Sequence, residues 1–390
     1  MIKYVISDHR CTGCGVCEAV CRKQAISMEN DAFGFWYPKI DEAKCVECGK
    51  CLMKCPVYGE WNAMFMYENP ISYAGHNLNA AVRFISSSGG VFSAIVESIL
   101  ERGGVIYGAA YRDDLTVEHI RIADHSDLYK LQGSKYVQSK IRRELYQMLE
   151  QDLNEERLVL FSGTPCQTAA VSSYFGKYNN LVTVDVICHG VPSPASWKDY
   201  LFETRKYGAV QSVNMREKSH GWNHFHMVIS YEDGHKTDTW FNDDPWGKSF
   251  VRNLFLRESC YNCEFKEKIR SADISLGDFW EAARGIHTEF DDGDQGTSVI
   301  LVNSPKGQEI IDSIVNCKLE EIPYEWISDK TYAIARSSHR SPNRERAFRM
   351  LKKGLPFSKV VKKCTKTSFS TRVIRKIKWM LGKGKRETIR

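Results

Sequence analysis

The sequence predicts an α+β (mixed α/β) fold, with a small cysteine-rich unit ahead of a larger α/β domain. Three observations carry that expectation. Eight of the 14 cysteines fall in the first 55 residues, in two runs of identical spacing. Between residues 89 and 317, short apolar runs closed by turn residues alternate with segments of helical periodicity. A chain of 390 residues with 43% apolar and 12% aromatic content is long enough for two or three domains with sizeable cores.

The first unit spans residues 1–60. Cys11, Cys14, Cys17 and Cys21 are spaced C-x2-C-x2-C-x3-C, and Cys45, Cys48, Cys51 and Cys55 repeat the spacing. This is the run of bacterial two-cluster ferredoxins, in which the fourth cysteine of each run ligates the other cluster. Three closely spaced thiolates wrap one cubane, and Gly13, Gly15 and Gly49 suit a backbone folded against sulfur. Soft thiolates select iron–sulfur clusters or zinc. Zinc leaves the three-plus-one spacing unexplained, so two [4Fe-4S] clusters are expected. Pro56 follows Cys55 as the pattern requires, but Arg22 follows Cys21. The stretch "AFGFWYPKID" (32–41) reads as a strand or hairpin whose aromatics belong to the core.

The N-terminus shows no apolar signal-peptide core, and no apolar run is long enough to cross a bilayer. The expected location is the cytoplasm, where thiols stay reduced and ligand-spaced cysteines point to metal rather than disulfides.

The body is expected over residues 72–350, with an N-terminal part at 72–155 and a C-terminal part at 156–320. A helix is predicted over 89–104, then paired strands at 105–111 and 117–123. Strand 158–163, a helix from Gln167 and strand 181–188 form a βαβ unit with a parallel pair. Further strands are read at 210–216, 224–231, 272–277 and 297–303, and a helix over 305–317 ending at Cys317.

Cys166 and Cys188 each lie at a predicted strand end, and Cys260 and Cys263 form a C-x2-C pair. If the two strands are parallel neighbours, Cys166 and Cys188 emerge at one carboxyl edge, where open α/β sheets place ligands. The four are then candidates for a further metal site, either cluster or zinc, or else are ordinary buried thiols. Cys317 and Cys364 lack glycine-rich surroundings. The loop "ISSSGGVFSA" (85–94) reads either as a phosphate cradle at a helix N-terminus or as a plain cap by Ser87 or Ser88. "LQGSKYVQS" (131–139) sets Lys135 beside Tyr136, able to meet a phosphate or a flavin ring, or to be plain surface.

Taken in order, "SSSGGVFSA", "GSKYVQS", "SGTPCQ", "ICHGVPSP", "SCYNCEFK" and "SADISLGDFW" resemble the beta subunit of coenzyme F420 hydrogenase/dehydrogenase over about residues 72–303. The resemblance implies an oxidoreductase with a flavin, FAD, beside a third [4Fe-4S] cluster ligated by Cys166, Cys188, Cys260 and Cys263. It makes Ser87, Ser88, Gly89 and Gly90 candidates for flavin phosphate contacts. Gly133, Ser134, Lys135 and Tyr136 become candidates for flavin or substrate contacts. The implied partner is a redox protein or a small redox cofactor, with coenzyme F420, a deazaflavin, a candidate substrate. It places Arg216, Lys218, His220, His224 and His226 near the active centre; the histidines show no acidic partner of telling spacing. His189, beside Cys188, reads as a hydrogen-bond donor to a cluster sulfur, a proton donor at the flavin or a packed side chain, and Asp278 has no assigned role. The alternative is a non-catalytic electron-transfer subunit or adaptor serving a separate enzyme, surface polysaccharide metabolism included.

The net charge of +6 hides an asymmetry. Residues 351–390 hold 14 Lys and Arg against one acid, Glu387, a local +13 that leaves −7 for the first 350. Basic charge confined to one end, with no recognition module, speaks against nucleic-acid binding. "RVIRKIKWMLGKGKR" (372–386) reads as a basic amphipathic helix for an anionic membrane face or an acidic partner.

Overall fold

A computed structural model describes residues 9–59, 66–266, 268–283, 285–290, 293–328 and 332–366. The basic amphipathic segment at 372–386 lies outside them. The described residues form a mixed α/β fold, as the sequence predicts.

In the N-terminal unit β1 (Ile26–Asn30) and β2 (Trp36–Ile40) make an antiparallel hairpin. The body contributes β3 (Ile71–Asn77), β4 (Val105–Tyr111), β5 (Val117–Ile122), β6 (Val159–Gly163), β7 (Leu181–Val186), β8 (Val210–Glu217), β9 (His226–Tyr231), β10 (Lys236–Trp240), β11 (Ile274–Asp278), β12 (Ser298–Val302) and β13 (Cys317–Glu321). Eight of these form one sheet in the order β13-β3-β12-β11-β7-β6-β4-β5, and β8, β9 and β10 form a separate antiparallel sheet. In the large sheet β4, β6, β7 and β11 are parallel neighbours. β12 is antiparallel to both β11 and β3, so β3 runs with the parallel set. Asn77, Tyr111, Gly163, Val186 and Asp278 therefore end their strands at one edge, which collects the ligand-bearing loops.

Period-two alternation puts both faces of this sheet in core. Ile106, Leu160, Val182, Val184, Ile300 and Val302 pack against helices Val91–Glu101 and Pro305–Ser313. Val105, Tyr107, Val159, Phe161 and Leu181 face the other way, onto helices Arg143–Asn154 and Pro165–Phe175. Strands buried on both faces read as nearly continuous apolar runs, which is why β6, β7 and β12 stand out in the sequence. Ile95 and Ile99 are fully buried on the first helix; truncating either to alanine costs about 2–5 kcal/mol.

The helix expected over 305–317 stops at Ser313, where Ile314 turns extended. Cys317 opens β13 instead, opposite Asn77 of β3. Pairing on an open sheet edge satisfies backbone groups that a longer helix would leave facing solvent.

The N-terminal unit shares core with the body. Cys14 and Val16 join the cluster around Tyr146, and Phe35 is buried among Trp197, Phe255 and Phe348. The aromatics of 32–41 thus serve packing. Lys54 Nζ donates to Ser173 O at 2.6 Å and Arg143 donates to Glu18 O at 2.6 Å, so polar ties flank the apolar contact.

Candidate functional site

Two cysteine sets occupy the N-terminal unit. Cys11, Cys17 and Cys55 are buried together with Ile26. Burial pushes the Cys14 thiol up to about 12, and the nearby Cys55 and Cys11 add to the rise. Cys55 thus comes to the first run, as a crossed fourth ligand requires. Gly13 turns this loop with φ at +71°, and a Cβ there would sit 2.8 Å from Arg257 Nη1, so the loop passes the arginine too closely for a side chain. Cys21, Cys45 and Cys51 are half-buried and Cys48 is exposed. Arg22 lies in an exposed turn, and the Ala25 N–H still reaches the Cys21 sulfur at 3.3 Å.

A third set gathers at the carboxyl edge of the sheet. Thr164 and Gln167 form a capping box that opens helix Pro165–Phe175 and holds Cys166 in its first turn, with Thr164 Oγ1 at 3.2 Å from the sulfur. Cys188 follows β7, and the Val191 N–H lies 3.4 Å from Cys260 Sγ. Burial raises the Cys166 thiol, and Cys263, Cys188 and Cys260 raise it further, so all four share one neighbourhood. Burial pushes Cys188 up to about 11 and Cys260 up to about 12. Three cations oppose this: Lys266 at Cys188 and Cys263, Arg270 at Cys263, and Arg257 at Cys260. Lys266 is itself buried, donating to Cys188 O at 2.5 Å and Ala333 O at 3.0 Å. Buried, mutually repelling thiolates ringed by cations suit a metal centre, whose positive charge offsets the repulsion and keeps the sulfurs deprotonated.

Two side chains join the sets. The Tyr146 hydroxyl donates to Cys14 O at 3.0 Å, and the ring's surroundings include Cys14, Cys17 and Cys166. Arg257 is fully buried; it donates to Cys11 O at 2.8 Å, Trp36 O at 2.9 Å and Gln138 Oε1 at 3.2 Å, while Cys260 N–H bonds its carbonyl at 3.0 Å. Neither residue belongs to a motif with a spacing, so the sequence offered no signal for them.

The two glycine–serine loops meet at the same edge. Ser134 N and Oγ both bond Ser87 Oγ, at 2.7 and 2.9 Å. Neither Ser87 nor Ser88 caps the helix: the N-cap is Gly90, with φ at +84° and no side-chain cap. Ser88 instead donates to Thr297 O, and the Gly89 N–H donates to Ser298 Oγ. Gly89 is crowded, since a Cβ would meet Gly75 O at 2.5 Å, whereas Gly133 has nothing within 4 Å of that position.

Basic side chains line this junction. Arg216 forms a two-toothed pair with Asp278 at 2.9 and 3.2 Å, and also donates to Ser87 O and the Tyr136 hydroxyl. Trp222 Nε1 donates to Asp278, and its ring stacks on Trp280 at 4.9 Å. Asp278 thus holds two groups of the junction in place, a role visible only in space. Lys218 Nζ lies within 2.6–2.9 Å of three carbonyls, those of Arg83, Ser88 and Gln295. Burial, with Arg216 and Arg83 near, pulls Lys218 down to about 7; a neutral amine has only two N–H bonds, so the cage is complete only for the protonated form. Lys135 is also drawn down to about 7 by burial and bonds the carbonyls of Gln132 and Gly133. Beside it, His119 Nδ1 and the Tyr111 hydroxyl are buried without partners, as is Arg216 Nε. Tyr136 stacks on Phe250 at 4.5 Å, so its ring is already packed. His189 packs as well, bonded to Asn253 Oδ1 at 2.5 Å and tilted against Phe250.

Residues 156–325 match the family described as the C-terminal region of the coenzyme F420 hydrogenase/dehydrogenase beta subunit, and residues 10–58 match the 4Fe-4S dicluster domain. One component of the Na(+)-translocating ferredoxin:NAD(+) oxidoreductase complex of Acetobacterium woodii is 46% identical over 46 residues, 12% of this chain and only 13% of that relative. The F420-reducing [NiFe] hydrogenase complex from Methanosarcina barkeri contains a chain 17% identical, with a TM-score of 0.43 over 84% of this chain and 98% of that one. The chain is an iron–sulfur electron-transfer protein related to the coenzyme F420 hydrogenase/dehydrogenase beta subunit, whose C-terminal family it matches over residues 156–325, behind its match to a 4Fe-4S dicluster domain.

Proposed function

We propose that this protein is an iron–sulfur flavoprotein oxidoreductase. It would pass electrons between a docked redox partner and FAD through three [4Fe-4S] centres in series. The outermost is held by Cys21, Cys45, Cys48 and Cys51, the next by Cys11, Cys14, Cys17 and Cys55, and the innermost by Cys166, Cys188, Cys260 and Cys263. The observation that carries this reading is the continuity of the sets, exposed at Cys48, buried at Cys14, and joined to the third through Tyr146 and Arg257 at the edge where the Ser87 and Ser134 loops meet.

The C-x2-C-x2-C-x3-C spacing favours four-iron centres over zinc in the two N-terminal sets, since zinc leaves the three-plus-one pattern unexplained. The junction suits a flavin as well: the orphaned polar atoms of Tyr111, His119 and Arg216 and the open space at Gly133 fit a large polar ligand.

When bound, the clusters supply single-electron transfer and the flavin exchanges electron pairs or hydride with a deazaflavin or another redox partner. The chain's own residues hold and tune. Ser87, Ser88, Gly89 and Gly90 shape the phosphate side; Lys218 pins Ser88, and Arg216, fixed by Asp278, pins Ser87. Gly133, Ser134, Lys135 and Tyr136 form the facing loop, with Lys135 close enough to neutrality to hold or release a proton near pH 7. Val46 and Met53 stand exposed in the outer cysteine run, apolar surface for a docking redox protein. No helix among the described residues is long and apolar enough to cross a membrane; the basic tail would add peripheral contact with an anionic membrane or an acidic partner.

The test is flavin content and turnover of the chain alone. Anaerobically purified protein is expected to carry about one flavin and to reduce an artificial acceptor in a flavin-dependent way. Full iron with no flavin and no turnover would leave the non-catalytic electron-transfer adaptor.

A further inference from the structure

We propose that His220, His226 and Asp238 form a binding site for a divalent transition-metal ion of the zinc class, separate from the cysteine sets. Their ligand atoms all lie within 4.8 Å of one another. His226 Nδ1 is 2.5 Å from Asp238 Oδ1, and His220 Nε2 is 3.1 Å from Asp238 Oδ2. The two imidazoles stack at 4.0 Å with 16° between their planes.

The fold builds this trio. β9 and β10 pair so that His226 lies opposite Trp240 and Val228 opposite Asp238. Asp238 is therefore the diagonal neighbour of His226 on one face of the sheet, within side-chain reach. His220 arrives from the turn in which Gly221 N–H bonds Lys218 O at 2.9 Å. That turn is fixed at both ends: Lys218 sits in its three-carbonyl cage, and Gly221 takes φ at +97° against Asp294, where a Cβ would lie 2.1 Å from the carboxylate. The backbone that carries the three ligands is thus fixed before any ion arrives, which lowers the ordering cost of binding; the stacked rings need only turn about their side-chain torsions to aim both nitrogens at one ion.

The chemistry selects the ion class. Two imidazole nitrogens and one carboxylate oxygen suit borderline divalent ions; a thiolate-seeking ion or a hard ion such as Mg²⁺ or Ca²⁺ finds few of its preferred ligands. A bound dication would also offset the negative charge of the Asp238 carboxylate while imidazoles ligate through neutral nitrogens. His226 is 12% exposed in its side chain, while His220 and Asp238 are 47% and 43% exposed. Three protein ligands with an open side leave a coordination position for water or an exchangeable ligand. His224 is outside the trio, stacked on Trp240 at 4.7 Å. The site is independent of the flavin reading: it stands whether or not that edge takes a flavin.

The test uses full-length, cluster-loaded protein dialysed anaerobically against buffered free Zn²⁺, with zinc and iron counted by elemental analysis. Wild type is expected to bind about one zinc in excess of the cysteine sites. His220→Ala and Asp238→Asn should each weaken that zinc by about tenfold or more, with iron unchanged. The control His224→Ala keeps it. Zinc binding that is absent from wild type, equal in all variants, or lost equally in His224→Ala overturns the proposal.

Discussion

Arg257 is a buried guanidinium whose three hydrogen-bond acceptors are all neutral: the carbonyls of Cys11 and Trp36 and the side chain of Gln138. An unpaired buried cation is costly unless anionic groups lie near, and the proposed clusters, with their thiolate ligands around Cys11 and Cys260, would supply them. Its charge should stabilise the reduced, more negative state of both centres. For an assumed separation of about 8 Å and an effective dielectric of about 20, one unit charge contributes about 2 kcal/mol, or about 90 mV for a one-electron couple. Arg257→Gln should therefore lower the midpoint potential of one or both neighbouring centres by about 50–100 mV, read by spectroscopically monitored redox titration. Arg257→Lys loses the same forked geometry but retains the charge, so it should keep most of the potential. The difference between the two variants isolates charge from packing. Potentials in the Gln variant equal to those in Lys and wild type would refute the electrostatic role and leave Arg257 a structural clamp.

Asp278→Ala should strand the Arg216 guanidinium in a buried site and cost about 3–5 kcal/mol in chemical denaturation; a loss below about 1 kcal/mol would mean that the pair contributes little. His119 is buried against Phe161 with its pKa drawn down to about 4 by burial. A folded value below the unfolded one means that stability is full above about pH 6.5 and is lost as pH falls toward 4; between pH 7 and 5 the loss from this group is about 2 kcal/mol. His119→Gln should flatten that slope in denaturation midpoints, and an unchanged slope would assign acid sensitivity elsewhere. The zinc test of His220 and Asp238 stands beside these as an independent expectation.

The sequence made some of this readable because local spacing and local chemistry coincide. The two N-terminal runs state their ligands in eleven residues each, and the Cys166 and Cys188 strand ends are bounded by turn residues that expose them. Parallel pairing of β6 and β7 then does the rest, placing both thiols at one edge. What depended on distant partners was not readable. Asp278 acquires meaning only against Arg216, 62 residues away, and Asp238 only against His226 on a neighbouring strand. Arg257 looks like any surface arginine in "LRESCYNC" until three separate segments close around it. The helix expected over 89–104 forms over Val91–Glu101, and Gly90 rather than a serine caps it, because the serine hydroxyls are engaged across the sheet edge.

The most direct test of the central claim is the iron count of anaerobically purified wild type against Cys188→Ser. Three four-iron centres predict about twelve irons per chain, falling toward eight in the variant while the N-terminal clusters remain. About eight irons in both would remove the third centre from the series and leave the four body cysteines as buried thiols or a zinc site.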